Sequence, residues 1–265
     1  MMATVRNPAV AGMFYPAKAT ELETMVGRYL GAAGVGGPVP KAIIAPHAGF
    51  IYSGAVAASA YARLAPARDT VTRVILLGPA HRVAVTGLAL PSVDSLATPL
   101  GDVPVDKQAI TMIVDLPQVK VMDAVHESEH SLEVHLPFLQ TILAEFSLVP
   151  LAVGQASPND VGEVLERLWG GPETLIVVSS DLSHYHDYDT ARRLDSATSR
   201  AIEQLRPEDI QYDHACGRVP INGLLHVARK RGMSATTIDL RNSGDTAGPR
   251  DQVVGYGAYA FEEPS

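Results

Sequence analysis

The hydrophobic positions of this sequence fall mainly in short uninterrupted runs, and few of them alternate with polar positions. Apolar runs of about four to eight residues are typical of strands that are covered on both faces, as in a largely parallel sheet. The strongest runs are 42–45, 73–77, 148–153 and 175–178, with further strand-like segments at 83–90, 235–240 and 253–261. These segments predict a buried central sheet.

Segments with the spacing of amphipathic helices lie between these runs. The predicted helices are 20–30, 54–64, 131–146, 158–169, 188–205 and 221–231. Alternating strands and helices predict an α/β layered domain, with a mostly parallel or mixed central sheet flanked by helices. The Gly- and Pro-rich stretch 31–40 is predicted as a loop and not as a domain boundary, so residues 1–265 are predicted to form a single domain.

Composition narrows the class of protein. The chain has 265 residues, of which 46% are hydrophobic and 19% charged, as expected for a globular protein with a sizeable core. A net charge of -8 lacks the basic footprint of a nucleic-acid-binding protein. The single cysteine excludes an intrachain disulfide. No apolar run approaches ~20 residues, and residues 1–16 do not resemble a signal peptide, so we expect no membrane contact and a cytoplasmic location.

Three of the predicted strands are followed closely by a histidine. His47, His81 and His184 come after the runs that end at 45, 77 and 178. In open α/β sheets, ligands bind at the carboxyl ends of the strands, and neutral imidazole is the commonest metal ligand. Any one of these histidines alone would be interpreted as a residue that satisfies a loop carbonyl. Three in the same topological place predict a shared metal site.

The single cysteine, Cys216, lies just before a helix that is predicted to start near Pro220. A thiol near a helix N-terminus has a lowered pKa, and the thiolate is the form that binds metals. A lone cysteine is also commonly a small buried hydrophobic residue. The sequence around Cys216 leaves both interpretations open.

The stretch from His126 to His130 matches the H-E-x-x-H pattern of zinc metalloproteases. That mechanism needs both histidines on one face of a helix. The preceding residues 117–125 resemble a strand, and the helix is predicted to begin only at Ser131. A zinc protease is therefore a remote alternative.

A second interpretation of this stretch places Glu129 and His130 at the start of the helix, facing the crevice. Glu133 then shares a helical face with His130. Glu127 and Glu129 would act as a general base or accept hydrogen bonds from metal-binding histidines. A solvated acidic helix start, favoured by the helix dipole, explains the same residues equally well.

Asp181 precedes His184 by three residues. Its carboxylate is a candidate to orient that imidazole by accepting its second N–H, or to cap the next segment. The sequence contains no G-x-G-x-x-G, Walker A or G-x-S-x-G motif, so nucleotide-binding and serine-hydrolase functions have no support.

Long sequence blocks surround these candidate residues. They are RNPAVAGMFYP (6–16), APHAGF (45–50), YSG (52–54), LGPAH (77–81), EHSLEVHLPF (129–138), SSDLSHY (179–185), CG (216–217) and VGYG (254–257). In this order the blocks resemble the Memo family, also called AmmeMemoRadiSam system protein B. The resemblance runs essentially from end to end of the chain.

The resemblance implies the fold of the catalytic subunit of class III extradiol ring-cleaving dioxygenases, which use non-haem iron. By this resemblance His47 and His81 match the metal-binding histidines, His184 matches a pocket histidine and is a further candidate ligand, and Cys216 completes the site. The dioxygenases bind iron with two histidines and a carboxylate, whereas a thiolate favours copper, zinc or a differently poised iron. We expect iron or copper, with zinc as a third candidate.

The resemblance also implies function. One hypothesis is a dioxygenase-like oxidoreductase acting on a small molecule, with His184, Asp181, Glu129 and His130 as candidate catalytic residues. The alternative is a non-catalytic metal- or peptide-binding protein with a vestigial dioxygenase pocket. The family name implies an AMMECR-type protein and a radical-SAM protein as partners.

Overall fold

The structure is a computed structural model and describes residues 3–34 and 36–264. The strands are β1 (Val5–Arg6), β2 (Ala42–Ala45), β3 (Arg73–Pro79), β4 (Leu88–Leu90), β5 (Ser95–Thr98), β6 (Gly101–Pro104), β7 (Val119–Val121), β8 (Ser147–Val153), β9 (Thr174–Ser179), β10 (His184–His186), β11 (Ser234–Asn242) and β12 (Val253–Glu262). The α-helices are α1 (Ala19–Ala32), α2 (Phe50–Tyr61), α3 (Lys107–Ile110), α4 (Asp123–His126), α5 (Leu136–Ile142), α6 (Pro158–Leu168), α7 (Tyr188–Glu203) and α8 (Arg218–Lys230). Short 3-10 helices occur at Ala62–Ala67, Glu133–His135, Pro207–Asp209 and Ser243–Asp245.

Within the described residues, nine strands form a mixed sheet in the order β10-β12-β2-β9-β3-β8-β4-β7, with β11 also paired to β12. The central strands β2, β9, β3 and β8 are parallel, while β12 and β4 pair with them in the antiparallel direction. Strands β1, β5 and β6 form a separate three-stranded sheet. The predicted α/β architecture with a mixed central sheet is confirmed.

Successive residues of the central strands enter two separate apolar cores. Ile43 belongs to the core that includes residues of α1, α2 and α5. Ile44 belongs to the opposite core, which includes residues of α6 and α8. Because both faces of the strands are covered by helices, both sets of side chains are apolar. This double burial explains why the sequence shows uninterrupted runs instead of alternation.

The predicted helix 131–146 is wrong in extent. The chain forms a 3-10 turn at Glu133–His135, then the short helix α5, and enters β8 at Ser147. The side chain of Glu129 accepts the backbone N–H groups of both His130 and Ser131, so these amides are satisfied outside a helix. The proline in the first turn of α5 marks the actual helix start.

Two further predictions differ from the structure. The strand-like segment 83–90 contains only the short strand β4, because the chain turns at Gly87, whose φ is +93°. The predicted loop 31–40 belongs to α1 as far as Ala32. The predictions also cover Met1, Met2, Val35 and Ser265, which lie outside the described residues. Among the described residues, none of the helices combines the length and the apolar character needed to cross a bilayer.

Candidate metal centre

The carboxyl ends of the central parallel strands meet at one edge of the sheet. Ala45 of β2 lies in register with Ser179 of β9, and β3 lies on the other side of β9. His47 and His81 follow β2 and β3 within two residues. The loop before α8 approaches the same edge, where the backbone N–H of Cys216 donates to the Asp181 carbonyl at 3.3 Å.

These loops bring three candidate ligands together. One ligand atom from each of His47, His81 and Cys216 lies within 4.8 Å of the other two. His47 Nε2 is 3.4 Å from Cys216 Sγ, and the two imidazole centroids are 5.2 Å apart. Ligand atoms at about 2.0–2.3 Å from a shared tetrahedral ion are themselves about 3.3–3.8 Å apart. The three residues therefore suit one metal ion with little rearrangement.

Hydrogen bonds fix the tautomer of His47. Ser179 Oγ donates its only proton to the Ser131 carbonyl at 2.6 Å. At 2.6 Å from His47 Nδ1, the same hydroxyl must then accept the proton of the imidazole. Nε2 is left without a proton and faces Cys216. Burial, together with the neighbouring His81 and His130, lowers the pKa of His47 well below its usual value, so the ring stays neutral.

His81 is oriented in the same way by Glu129. One carboxylate oxygen of Glu129 accepts the backbone N–H of His81 at 2.5 Å, and the other lies 2.9 Å from His81 Nδ1. Burial alone would raise the pKa of Glu129, but the hydrogen bonds that its carboxylate accepts from His81 and Ser131 lower it to about 2. The ionised carboxylate holds the proton of His81 on Nδ1 and leaves Nε2 free.

Glu129 is not itself a good ligand, although it forms a second compact group with His81 and His130. Its two oxygens already accept hydrogen bonds from two backbone amides of its own loop, from the His81 amide and from the His81 ring. A metal would have to displace these donors. Glu129 therefore orients the imidazole of His81, which is one of the two roles considered for it from the sequence.

The predicted low pKa of the Cys216 thiol is wrong for the metal-free protein. Burial raises this pKa, and the nearby carboxylate of Asp181 raises it further. These effects outweigh the position of the thiol near the start of α8. A bound metal deprotonates a coordinating thiol outright, so the proton of Cys216 is the one that an incoming metal replaces.

His184 lies in the same pocket but outside the group of three. Its Nδ1 is 2.8 Å from the Leu182 carbonyl, to which it must donate a proton. The spacing predicted that Asp181 orients the imidazole of His184, but the two side chains form no hydrogen bond. Asp181 instead accepts the backbone N–H of His47 at 2.8 Å. Burial raises the pKa of Asp181. The assignment of His184 as a metal ligand stays a prediction.

His130 stands over the two ligand histidines. Its ring stacks on His81 with centroids 4.9 Å apart and meets His47 edge-on at 5.5 Å. Its Nδ1 is buried and has no hydrogen-bond partner among the described residues. Burial lowers the pKa of His130, so this imidazole is neutral near pH 7. The predicted position of His130 facing the crevice agrees with this arrangement.

The arrangement required for a zinc protease is absent from the described part of the chain. His126 ends the four-residue helix α4, is buried, and has its Nε2 2.9 Å from the Ala89 carbonyl. Glu127 is exposed. The predicted shared helical face of His130 and Glu133 does not form, because His130 precedes the 3-10 turn that begins at Glu133. His130 lines the cavity, whereas Glu133 pairs with Arg6. Both arrangements need a helix that includes these residues, but α5 begins only at Leu136.

Comparisons with known proteins agree with this geometry. The sequence profile of the family described as Memo-like protein matches residues 6–260. A MEMO1 family protein of Aquifex aeolicus is 38% identical over 95% of this chain and 97% of its own length. A MEMO1 family protein of Methanosarcina mazei is 35% identical over 97% of this chain and 99% of its own.

This chain belongs to the Memo family. In fold it is also similar to the crystal structure of an uncharacterized protein from Escherichia coli K12, with a TM-score of 0.52 and 11% identity. That likeness covers 81% of this chain and 98% of the other, and it concerns the fold alone.

The Memo-family site opens into a cavity of about 1450 Å³ at the carboxyl edge of the sheet. Its walls include all three candidate ligands, together with His130, Asp181 and His184. Tyr185 and Tyr212 line it with rings that are largely exposed. Tyr185 has a φ of +61°, a costly backbone conformation for this residue type that is common at functional sites. The cavity has room for a small-molecule ligand beside the metal position.

Two residues that support the site have no clear signal in the sequence. Ser179 fixes the tautomer of His47, and its place at the end of a strand was visible, but its hydrogen-bond partners were not. Asp195 of α7 accepts the backbone N–H of Ser183 at 3.0 Å and so anchors the loop that carries His184. Asp195 resembles any polar helix residue in the sequence, although it is buried.

Burial raises the pKa of Asp195 to about 6, which predicts a specific pH dependence of stability. An acid whose folded pKa is raised stabilises the fold below its unfolded pKa, and this contribution is lost as the pH rises through the folded pKa. The unfolding free energy of the wild type minus that of Asp195→Asn should therefore fall by about 2–3 kcal/mol between about pH 4 and pH 7. Urea denaturation of the metal-free proteins measures it.

Asp106→Asn is the matched control for this prediction. Hydrogen bonds from Ala109 and Arg73 outweigh burial and lower the pKa of Asp106, so its titration lies below this pH range. The difference between the wild type and Asp106→Asn should stay nearly constant from pH 4.5 to 7. A constant difference for Asp195→Asn as well would contradict the account.

Proposed function

We propose that this protein is a metal-dependent oxidoreductase that binds iron or copper through His47, His81 and Cys216. The observation that carries this proposal is the convergence of three ligand atoms on the wall of a large open cavity. Structural metal sites usually enclose the ion with four protein ligands, whereas catalytic sites keep one position free for water or substrate. Three ligands beside an open cavity favour catalysis over storage.

The chemistry of the ligand set supports the choice of metal. Two imidazoles whose Nδ1 atoms are held by hydrogen bonds, and one thiolate, suit a soft or borderline metal better than magnesium or calcium. Iron or copper, when bound, supplies one-electron redox chemistry toward oxygen or an organic substrate. The chain itself contributes ligands whose proton positions are already set before the metal arrives.

Two further histidines of the cavity wall are placed to accept or donate substrate protons. His130 is neutral, because burial lowers its pKa, and it lines the cavity beside His81. His184 keeps its proton on Nδ1 through the Leu182 carbonyl and can accept a substrate proton at Nε2. A general base of this kind typically contributes about 10²–10⁴-fold to a rate.

Metal content is the first prediction of this proposal. Protein purified without oxygen and without chelators should carry close to one iron or copper per chain by mass spectrometry. His47→Ala and Cys216→Ala should each lose most of it, because each removes one of only three ligands. His226→Ala is the control, since this histidine is exposed on α8 and outside the cavity. Equal metal content in all four proteins would rule out this site.

Oxygen uptake separates an enzyme from a metal store. With iron(II)- or copper-loaded protein, His130→Gln and His184→Gln should retain the metal and slow oxygen uptake in the presence of ascorbate by about 10²-fold, as expected for loss of a general base. An oxygen electrode and parallel metal analysis measure both properties. If the loaded wild type takes up oxygen no faster than the free metal, the site is a binding site without redox turnover.

A further inference from the structure

A segment near the N-terminus contacts the loop that carries His47 and the loop that carries Glu129, the residue that orients His81. We call residues 6–15 the N-terminal clamp. It lies outside the cavity, and none of its residues belongs to the candidate ligand set. Its buried polar contacts nevertheless converge on the loop from His126 to Glu133, which supplies Glu129 and His130.

Arg6 fixes both ends of that loop. Its Nε donates to the His126 carbonyl at 2.9 Å, and Nη2 donates to the Glu129 carbonyl at 2.6 Å. Its remaining terminal nitrogen forms a buried ion pair with Glu133. The planar guanidinium presents five donors in a rigid fork, so the three acceptors are held at set distances from one another. The backbone of Glu129 is thereby fixed directly behind the carboxylate that orients His81.

Glu133 locks the clamp against this loop. Besides Arg6, its carboxylate accepts the backbone N–H groups of Ala9 at 2.7 Å and Val10 at 3.0 Å, and the hydroxyl of Tyr15 at 2.6 Å. Every oxygen of this buried carboxylate is thus satisfied by the clamp. Separating the buried carboxylate of Glu133 from its partners would cost free energy, because it would leave a charge buried without a partner. The loop and the clamp are therefore held in one relative position.

Phe14 connects the clamp to the loop that carries His47. Its carbonyl accepts the backbone N–H of Phe50 at 2.7 Å, at the start of α2 and three residues after His47. Its ring lies 4.8 Å from the ring of His130. The clamp therefore bridges the His47 loop and the Glu129 loop, although these loops are more than 70 residues apart in sequence.

We infer that the N-terminal clamp sets the relative position of the His47 and His81 imidazoles, with Arg6 as the principal positioning residue. The inference rests on the metal binding proposed above. Residues that orient metal ligands typically change metal affinity by about 10–100-fold when they are replaced, without touching the metal. Arg6 contacts neither the metal position nor a ligand, and it acts on His81 through the backbone of Glu129.

Arg6→Lys tests this inference. Lysine keeps the charge that pairs with Glu133 but cannot reproduce the fork that also reaches two carbonyls. Titration with cobalt(II), followed by thiolate-to-metal charge-transfer absorption, measures affinity and geometry together. We expect cobalt affinity to fall by about tenfold or more, with a weaker charge-transfer band.

Arg73→Lys is the matched control. Arg73 pairs with Asp106 at 2.7 Å at the start of β3, the end of the strand opposite to His81. It should lower the thermal stability of the metal-free protein while leaving cobalt affinity within about twofold and the spectrum unchanged, since it makes no contact with the ligand loops. Wild-type cobalt affinity and spectrum in Arg6→Lys, whatever its stability, would overturn the inference.

A milder pair of variants covers the case in which Arg6→Lys does not fold. Tyr15→Phe removes one hydrogen bond to Glu133, and Tyr259→Phe removes a comparable buried one, to Ser199 at 2.6 Å. Loss of one hydrogen bond should weaken cobalt binding by about three- to fivefold in the first variant and leave it unchanged in the second. Equal affinities in both would overturn the inference alone, whereas absence of cobalt binding in the wild type would overturn the proposed function.

Discussion

The hydrogen bonds that the Nδ1–H groups of His47 and His81 donate are the interactions on which the whole site depends. Each imidazole has two nitrogens, and a metal can bind only the one that carries no proton. Ser179 and Glu129 hold the protons on Nδ1, so both Nε2 atoms are free on the cavity side. The positions of Ser179 and Glu129 are in turn set by β9 and by the loop that Arg6 braces.

Burying these polar groups costs folding free energy, which the rest of the fold offsets. His47, Glu129, Asp181 and Glu133 are all buried, and isolated charges or unpaired polar groups in such surroundings are unfavourable. The chain keeps the imidazole of His47 neutral and gives the carboxylate of Glu129 several N–H donors. The thiol of Cys216 stays protonated until a metal replaces that proton. Two large apolar cores around the sheet stabilise the edge on which these groups lie.

The central strands could be predicted from sequence because their residues are buried on both faces, which leaves an unmistakable apolar run. The positions of His47, His81 and His184 followed from topology, since parallel strands end at one edge. The local sequence alone did not decide whether Cys216 binds a metal or is a buried apolar residue.

The extent of the helix after Ser131 could not be predicted, because Glu129 satisfies the amides that a helix would use. The partners of Asp181 and Glu133 were missed because they lie more than 100 residues away in sequence. The strands of the small sheet are too short to show a period.

The central claim is that one thiolate and two imidazoles bind a single metal ion. X-ray absorption spectroscopy of the iron- or copper-loaded protein tests it most directly, because it counts the atoms around the metal by element and distance. The account predicts one sulfur near ~2.3 Å and two imidazole nitrogens near ~2.0–2.1 Å, as is typical of cysteine and histidine ligands. A spectrum with only nitrogen and oxygen neighbours, and no sulfur, would contradict it.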